Sequence, residues 1–202
     1  MNIFYLHDDP VICAKQHCDK HVVKMCIEYA QLLSTAHRVL DGSKHYALSL
    51  NGRRIVRYFH MDAVMNKNLY KAAHVNHPSS IWARQSDQNY DWLYRLWVAL
   101  CDEYTYRYGK VHESFRKLNP YLLMPPMFIE NGDFTEPTPA MKAYQHCIVE
   151  GDSMSSYRNF YWEDKREFAK WTKRDKPRWW IEKETGVPPR KLFWEEDERQ
   201  GK

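Results

Sequence analysis

Glycine is scarce in this chain, with seven in 202 residues. Neither G-x-x-x-x-G-K-[ST] nor G-x-G-x-x-G occurs, so both common glycine loops that wrap backbone N–H groups around a phosphate are excluded. The shortage also disfavours a β-rich fold full of tight turns, which rely on glycine at positive φ. Long apolar runs are missing: no stretch approaches the ~20 residues of a bilayer span. Met1–Asp9 lacks the basic n-region of a secretion signal. No membrane partner is expected, and the location read from these features is cytoplasmic. The five cysteines are odd in number and irregularly spaced, as suits reduced intracellular thiols rather than a disulfide framework. No G-x-S-x-G elbow is present, which argues against a serine hydrolase.

Aromatic residues make up 15% of the chain, with 8 Trp and 14 Tyr, too many for a disordered protein. The net charge is +4, from 30 basic and 26 acidic residues. Four of the acids crowd into Glu195–Glu198, so the rest of the chain is more basic than the total suggests. That balance permits nucleic-acid binding without requiring it.

The pattern along the chain predicts an all-α, or mainly α, single compact domain over residues 1–176, with at most a small β-element, followed by an irregular Pro/Trp-rich and acidic tail over 177–202. Residues 2–6 read as extended. A long helix is expected over Pro10–Leu40, which can break near Cys18-Asp19 and meets a glycine stop at Gly42. Residues 43–60 read either as a hairpin around Asn51-Gly52 with a basic, phosphate-facing edge or as an inserted surface loop. Ser79 or Ser80 is the expected cap of a long aromatic helix ending at Gly109. A proline-stiffened loop over 119–139 follows, then helices over about 138–149 and 155–172.

The most informative stretch is His17–Leu33. At ~100° per residue it separates a broad apolar face from a polar stripe carrying His17, Lys20, His21, Lys24, Glu28, Gln31, Thr35 and Arg38. Val23, Ile27 and Ala30 make the far flank apolar again. A polar stripe with apolar surface on both sides is that of a central helix lining a cleft; the same spacing also fits an ordinary amphipathic helix with a solvated lysine face. Lys24 and Glu28, one turn apart, form the candidate acid–base pair. His17 and His21 stand at the i, i+4 spacing of two metal ligands, but without C-x-x-C or H-E-x-x-H they read as an anion site, so neither a metal nor a cofactor is expected.

A second candidate pocket is Asn76-His77-Pro78-Ser79-Ser80-Ile81-Trp82-Ala83-Arg84. It offers N–H groups and hydroxyls at a helix start, Arg84 beside them, and Trp82 to stack a base. Its plain reading is a capped helix with a core tryptophan. Arg158, Lys170 and Trp171 belong to a C-terminal run alternating aromatic and basic residues, the composition of a nucleotide-stacking surface or of an amphipathic helix with aromatic anchors.

Asp19–Leu33 resembles the D-x-[KR]-[LV]-x-K-x-x-x-E-x-x-Q-x-L type of block in small helical proteins grouped with pyrimidine-dimer DNA glycosylases (endonuclease V-like). Asn76-His77-Pro78 followed by Trp82 is similar to a second N-H-P…W block of that group, and the chain as a whole resembles proteins carried by tailed bacteriophages. The resemblance implies an all-α fold and a DNA-repair or base-excision role. The phage glycosylase uses its processed N-terminal amine as nucleophile with a glutamate as partner; this chain departs from that in beginning Met1-Asn2. The resemblance then implies Glu28 in the glutamate's role, with Lys20 or Lys24 as nucleophile.

Together these readings give an expected DNA base-processing protein acting on damaged or modified pyrimidines. Glu28 is its acid/base, Lys24 its nucleophile or phosphate clamp, and His21, His77 and Arg84 orient a phosphate. Lys20, Arg38, Asn76, Ser79, Trp82, Arg158, Lys170 and Trp171 complete the expected contacts to DNA or a nucleotide. Two other readings stay open: a transferase that modifies bases in phage DNA, and a non-catalytic nucleotide or nucleic-acid binding protein such as one that blocks a host defence. The oligomeric state is not set by these features.

Overall fold

The computed structural model describes residues 1–186. It is mainly helical, with one small two-stranded antiparallel sheet, and no helix in it is long and apolar enough to cross a membrane. The N-terminal segment is extended, and Ile3–Leu6 are buried. Its backbone bonds go to side chains rather than to a neighbouring strand. Phe4 N donates to the Tyr29 hydroxyl at 3.1 Å, Leu6 N to Cys13 Sγ at 3.4 Å, and the Arg158 guanidinium donates to Leu6 O at 2.8 Å.

Asp9 accepts from the N–H groups of Val11 and Ile12 and so starts α1 (Pro10–Gln16), with Pro10 in the first turn, where no N–H is needed. The expected long helix breaks at His17 and Cys18, both extended, and α2 runs over Asp19–Leu40. The broad apolar face of α2 is core: Val22, Met25, Cys26, Tyr29, Leu32, Leu33 and Ala36 are buried. It packs on α5 (Asp87–Tyr108), and the Trp97 indole N–H of α5 donates to Cys26 O at 2.9 Å.

Residues 43–60 form the hairpin rather than a loop. Strand β1 (Gly42–Leu48) pairs with β2 (Arg54–His60), from Gly42 opposite His60 to Leu48 opposite Arg54, and Gly52 takes φ +74° in the turn. At its base, a Cβ on Gly42 would lie 2.3 Å from Arg38 O and 2.5 Å from Phe59 O. Both are backbone atoms, so only glycine lets the ribbon close onto the end of α2. Gly42→Ala is expected to cost about 1–3 kcal/mol, the usual cost of overpacking, read as a lowered midpoint in denaturant titration.

Three local expectations are corrected. The helix after His77 is not continuous to Gly109: a short α4 (Pro78–Trp82) is capped by His77 Nδ1 rather than by Ser79 or Ser80, and α5 starts afresh with Ser86 as its cap. The expected helix over 138–149 is a 3-10 segment, Lys142–Cys147, non-helical at Tyr144. Residues 178–185, expected within an irregular tail, form α8, with Trp179 and Trp180 buried. Residues 187–202 of that tail lie outside the described residues. Between these, α3 covers Ala63–Asn68, α6 covers Glu113–Leu122 and α7 covers Ser153–Lys165.

A buried ion cluster ties the C-terminal segment to this framework. Glu103 of α5 accepts from Arg107 at 2.7 Å and from both Nε and Nη2 of Arg174 at 2.9 Å, while Arg107 also reaches Asp19 at 2.8 Å and Lys15 O at 3.0 Å.

Candidate functional site

The polar stripe of α2 does not face one compartment. At its N-terminal end the histidines belong to the core. His17 bonds Cys13 O at 2.8 Å and the Tyr29 hydroxyl at 2.9 Å, and burial pushes its pKa down to about 4. His21, expected among the catalytic residues, stacks on Phe4 with ring centroids 4.4 Å apart and sits 2.6 Å from the Tyr161 hydroxyl. Burial lowers its pKa to about 2, so it is a neutral packing residue rather than a phosphate ligand. Arg38, expected to meet a phosphate, is buried and wholly engaged. Its guanidinium donates to Tyr70 O, Tyr58 O, Leu69 O, and both the side chain and carbonyl of Asn66, at 2.7–3.1 Å. It clamps the loop after the hairpin onto α2.

The middle of the stripe differs. The Lys24 ammonium lies 3.2 Å from Glu28; Lys24 is 64% exposed and Glu28 21%. Further along, Gln31 donates to Lys71 O, and Thr35 bonds Gln31 O at 2.7 Å and Ala73 O at 3.4 Å. Segment 71–73 thus covers the stripe beyond Glu28. His77 caps the start of α4, and Glu28 is among the charges that act on it. Burial lowers the His77 pKa, the charges at the Met1 amine and His74 lower it further, and the Glu28 carboxylate opposes them. His77 also lines a cavity of about 750 Å³ walled by Pro78, Pro139, Met141, Lys142 and Ile148. The Glu28 charge thus acts on His77, but Glu28 is not among the residues that wall the cavity, and Lys24 is exposed.

Other expected contacts have structural partners. Ser79 is buried and donates to Met1 O at 3.1 Å. Trp82 is 2% exposed, and its indole N–H donates to Thr135 O at 3.0 Å, so it has no face left for a base. Arg84 donates back to Ser80 O at 2.7 Å. Arg158 holds Leu6 O and lies over the Trp179 ring. Trp171 is buried and donates to Gln16 O at 3.0 Å. Asn76, Lys20 and Lys170 are exposed; the Lys20 ammonium lies 4.6 Å from the Phe168 ring centroid.

Two features had no place among the expected site residues. The ribbon β1–β2 is exposed on both faces. Between Gly42 and Met61 it carries Lys44, Arg53, Arg54 and Arg57 and no carboxylate, and the Arg54 guanidinium lies 4.0 Å over the Tyr46 ring. Its sequence signal is the basic run after Asn51-Gly52. The second feature is a cluster at the ribbon's base: His37, Asp41 and His60 bring their side-chain donors within 4.8 Å of one another. Only the i, i+4 relation of His37 and Asp41 is visible in the sequence.

No family model, curated protein or solved structure matches the chain.

Proposed function

We propose that this protein processes bases in nucleic acid, with Glu28 as its acid/base, His77 beside it, and Lys24 as a phosphate-directed cation at the site's open side. The observation that supports this reading is the electrostatic influence of the half-buried Glu28 carboxylate on His77, which lines a cavity of about 750 Å³. Such a cavity is within the size range that accepts a small ligand. A carboxylate held near an imidazole that burial keeps largely neutral can serve as a proton-transfer pair. The resemblance to pyrimidine-dimer glycosylases supplies the reaction class, cleavage of the bond between base and sugar. A single helical domain, a cytoplasmic setting and a DNA or nucleotide ligand belong to the same proposal. The test is incubation with duplex DNA carrying pyrimidine dimers or modified pyrimidines, read as base release, strand cleavage and borohydride trapping of an imine. Absence of all three on every such DNA sinks the enzymatic reading. The largely apolar cavity wall favours the non-catalytic nucleotide-binding alternative in that event.

The exposed ribbon is the surface for the DNA backbone. A two-stranded ribbon fits the major groove of B-form DNA, and four cations without a carboxylate suit phosphates. Replacing Arg53, Arg54 and Arg57 together by alanine is expected to weaken binding about equally across DNA sequences. It should also reduce the slope of log affinity against log salt by about 2–3, since each phosphate no longer neutralised removes roughly 0.9. Fluorescence anisotropy at several salt concentrations measures it; an unchanged slope removes the ribbon from the interface.

A further inference from the structure

The geometry points to a divalent transition-metal centre at the base of the ribbon, held by His37 Nδ1, Asp41 Oδ2 and His60 Nε2. It is independent of the base-processing reading. His37 and Asp41 lie one helical turn apart at the end of α2, and His60 closes β2 opposite Gly42. The Asp41 carboxylate lies 3.7 Å from His37 Nδ1 and 3.7 Å from His60 Nε2, and the three side chains are 4%, 8% and 7% exposed in chain order. Zinc bonds of about 2.0–2.2 Å set tetrahedral donors about 3.4 Å apart; the two Asp41 separations need to close by a few tenths of an ångström, and the two imidazole nitrogens, within 4.8 Å of each other, by up to about 1.4 Å, which side-chain rotation supplies. Two imidazoles and one carboxylate leave a further coordination position, as in catalytic zinc sites and the facial triads of iron(II) enzymes.

The second observation is that both nitrogens facing Asp41 are buried without a hydrogen-bond partner, although such orphans are rare. The bonds around them say what is missing. The Tyr90 hydroxyl donates to Leu122 O at 2.9 Å and so accepts from His37 Nε2, also at 2.9 Å. In neutral His37 the Nδ1 lone pair then faces the Asp41 carboxylate with nothing positive between them. The carboxylate itself is fixed by the N–H groups of Met127 and Phe128 at 2.8 and 3.0 Å. No lysine or arginine among the described residues pairs with it, and Arg38, three residues earlier, spends its guanidinium on Asn66 and backbone carbonyls. A buried carboxylate that faces the His37 lone pair on one side, and on the other only the neutral His60 N–H at 3.7 Å, beyond hydrogen-bond reach, calls for a cation. A water molecule is the competing occupant; it would satisfy the hydrogen bonds but leave the charge.

His60 sets one condition. Its Nδ1 accepts from Asp62 N–H at 3.0 Å. Ligation through Nε2 needs the ring proton on Nδ1, so that proton moves from Nε2 to Nδ1 and the Asp62 bond is released to solvent, where Asp62 is exposed. Net protonation is unchanged. The Tyr90 bond to His37 is the supporting contact that holds the ligating ring in place. The ion would join α2, β2 and the loop at Met127–Phe128.

The test uses the full chain, produced without a histidine tag and freed of metal by chelation. Zinc titrated by calorimetry is expected to bind at one equivalent and to raise the thermal midpoint. Cobalt(II) is expected to give a visible ligand-field spectrum without a thiolate charge-transfer band. His60→Ala and Asp41→Asn, checked for folding by circular dichroism, should each weaken zinc binding by more than the roughly 10–100-fold that loss of a supporting bond costs. No stoichiometric uptake by the folded wild-type chain overturns the proposal and leaves water as the occupant. Uptake that survives both substitutions, or a thiolate band, overturns it in favour of another site. Should a variant fail to fold, wild-type stoichiometry and the cobalt spectrum still decide.

Discussion

Replacing Glu103 with alanine is expected to lower the stability of the chain by about 3 kcal/mol, the lower end of the range for breaking a buried ion pair, and the thermal midpoint by roughly 6–12 °C for a chain of this size. Glu103 is 3% exposed and holds two guanidinium groups, those of Arg107 and Arg174. Its loss leaves the Arg107 side chain, 2% exposed, with only Asp19 and Lys15 O for partners. That residual pairing keeps the effect from the top of the range. Arg174 is 30% exposed and water replaces much of what it loses. Chemical denaturation followed by circular dichroism measures the difference; a change under about 1 kcal/mol would mean that the cluster is no better than a surface pair.

The same carboxylate carries a pH signature. Burial alone would raise the Glu103 pKa, but the hydrogen bonds from Arg174 and Arg107 outweigh it and hold the group below its ordinary 4.5. A depressed folded-state pKa means that the contribution is complete above the unfolded value and disappears as pH falls through the folded one. The stability gap between the wild-type chain and Glu103→Gln should therefore be constant near neutrality and narrow below pH 4.5. A gap that widens on acidification contradicts the ion-pair account.

Helix α2 was legible, and the hairpin was one of two readings left open, because their signals are local. The apolar period of α2, the Asn51-Gly52 turn and the left-handed cap at Gly109 each act within a few residues. The fate of polar residues was not, because it is set by partners far along the chain. Periodicity puts His21, Glu28 and Arg38 near one stripe but says nothing of what lies opposite. Tyr161, 140 residues away, takes His21 into the core, and the Asn66–Tyr70 loop consumes Arg38. Thr135 likewise seals Trp82. The break between α4 and α5 follows the same logic, since Asn89 bonds Trp82 O and Thr135 and so fixes the turn from outside the local sequence. His60 reaches His37 and Asp41 only because the ribbon folds back on itself.

Glu28→Gln is the substitution expected to separate catalysis from binding. Glutamine preserves shape and hydrogen-bonding atoms but removes the charge and the capacity to accept a proton. If Glu28 transfers a proton in the reaction, single-turnover base release should fall by ~10²–10⁴-fold, while DNA affinity stays within about tenfold, or ~1.4 kcal/mol. Lys24→Ala should act the other way. Lys24 is 64% exposed and paired to Glu28 at 3.2 Å, so its removal takes away a phosphate-directed charge and weakens binding more than turnover. Borohydride trapping distinguishes a nucleophile from a clamp: trapping lost in Lys24→Ala makes Lys24 the nucleophile, and trapping that persists moves that role to Lys20 or another amine. A purely structural Glu28 would give a stability change under ~1 kcal/mol and no change in rate. Because the partly exposed Lys24–Glu28 pair itself contributes only ~0.3–0.5 kcal/mol, a large loss of rate with an unchanged melting curve cannot come from that pair. It would assign the loss to the Glu28 carboxylate itself.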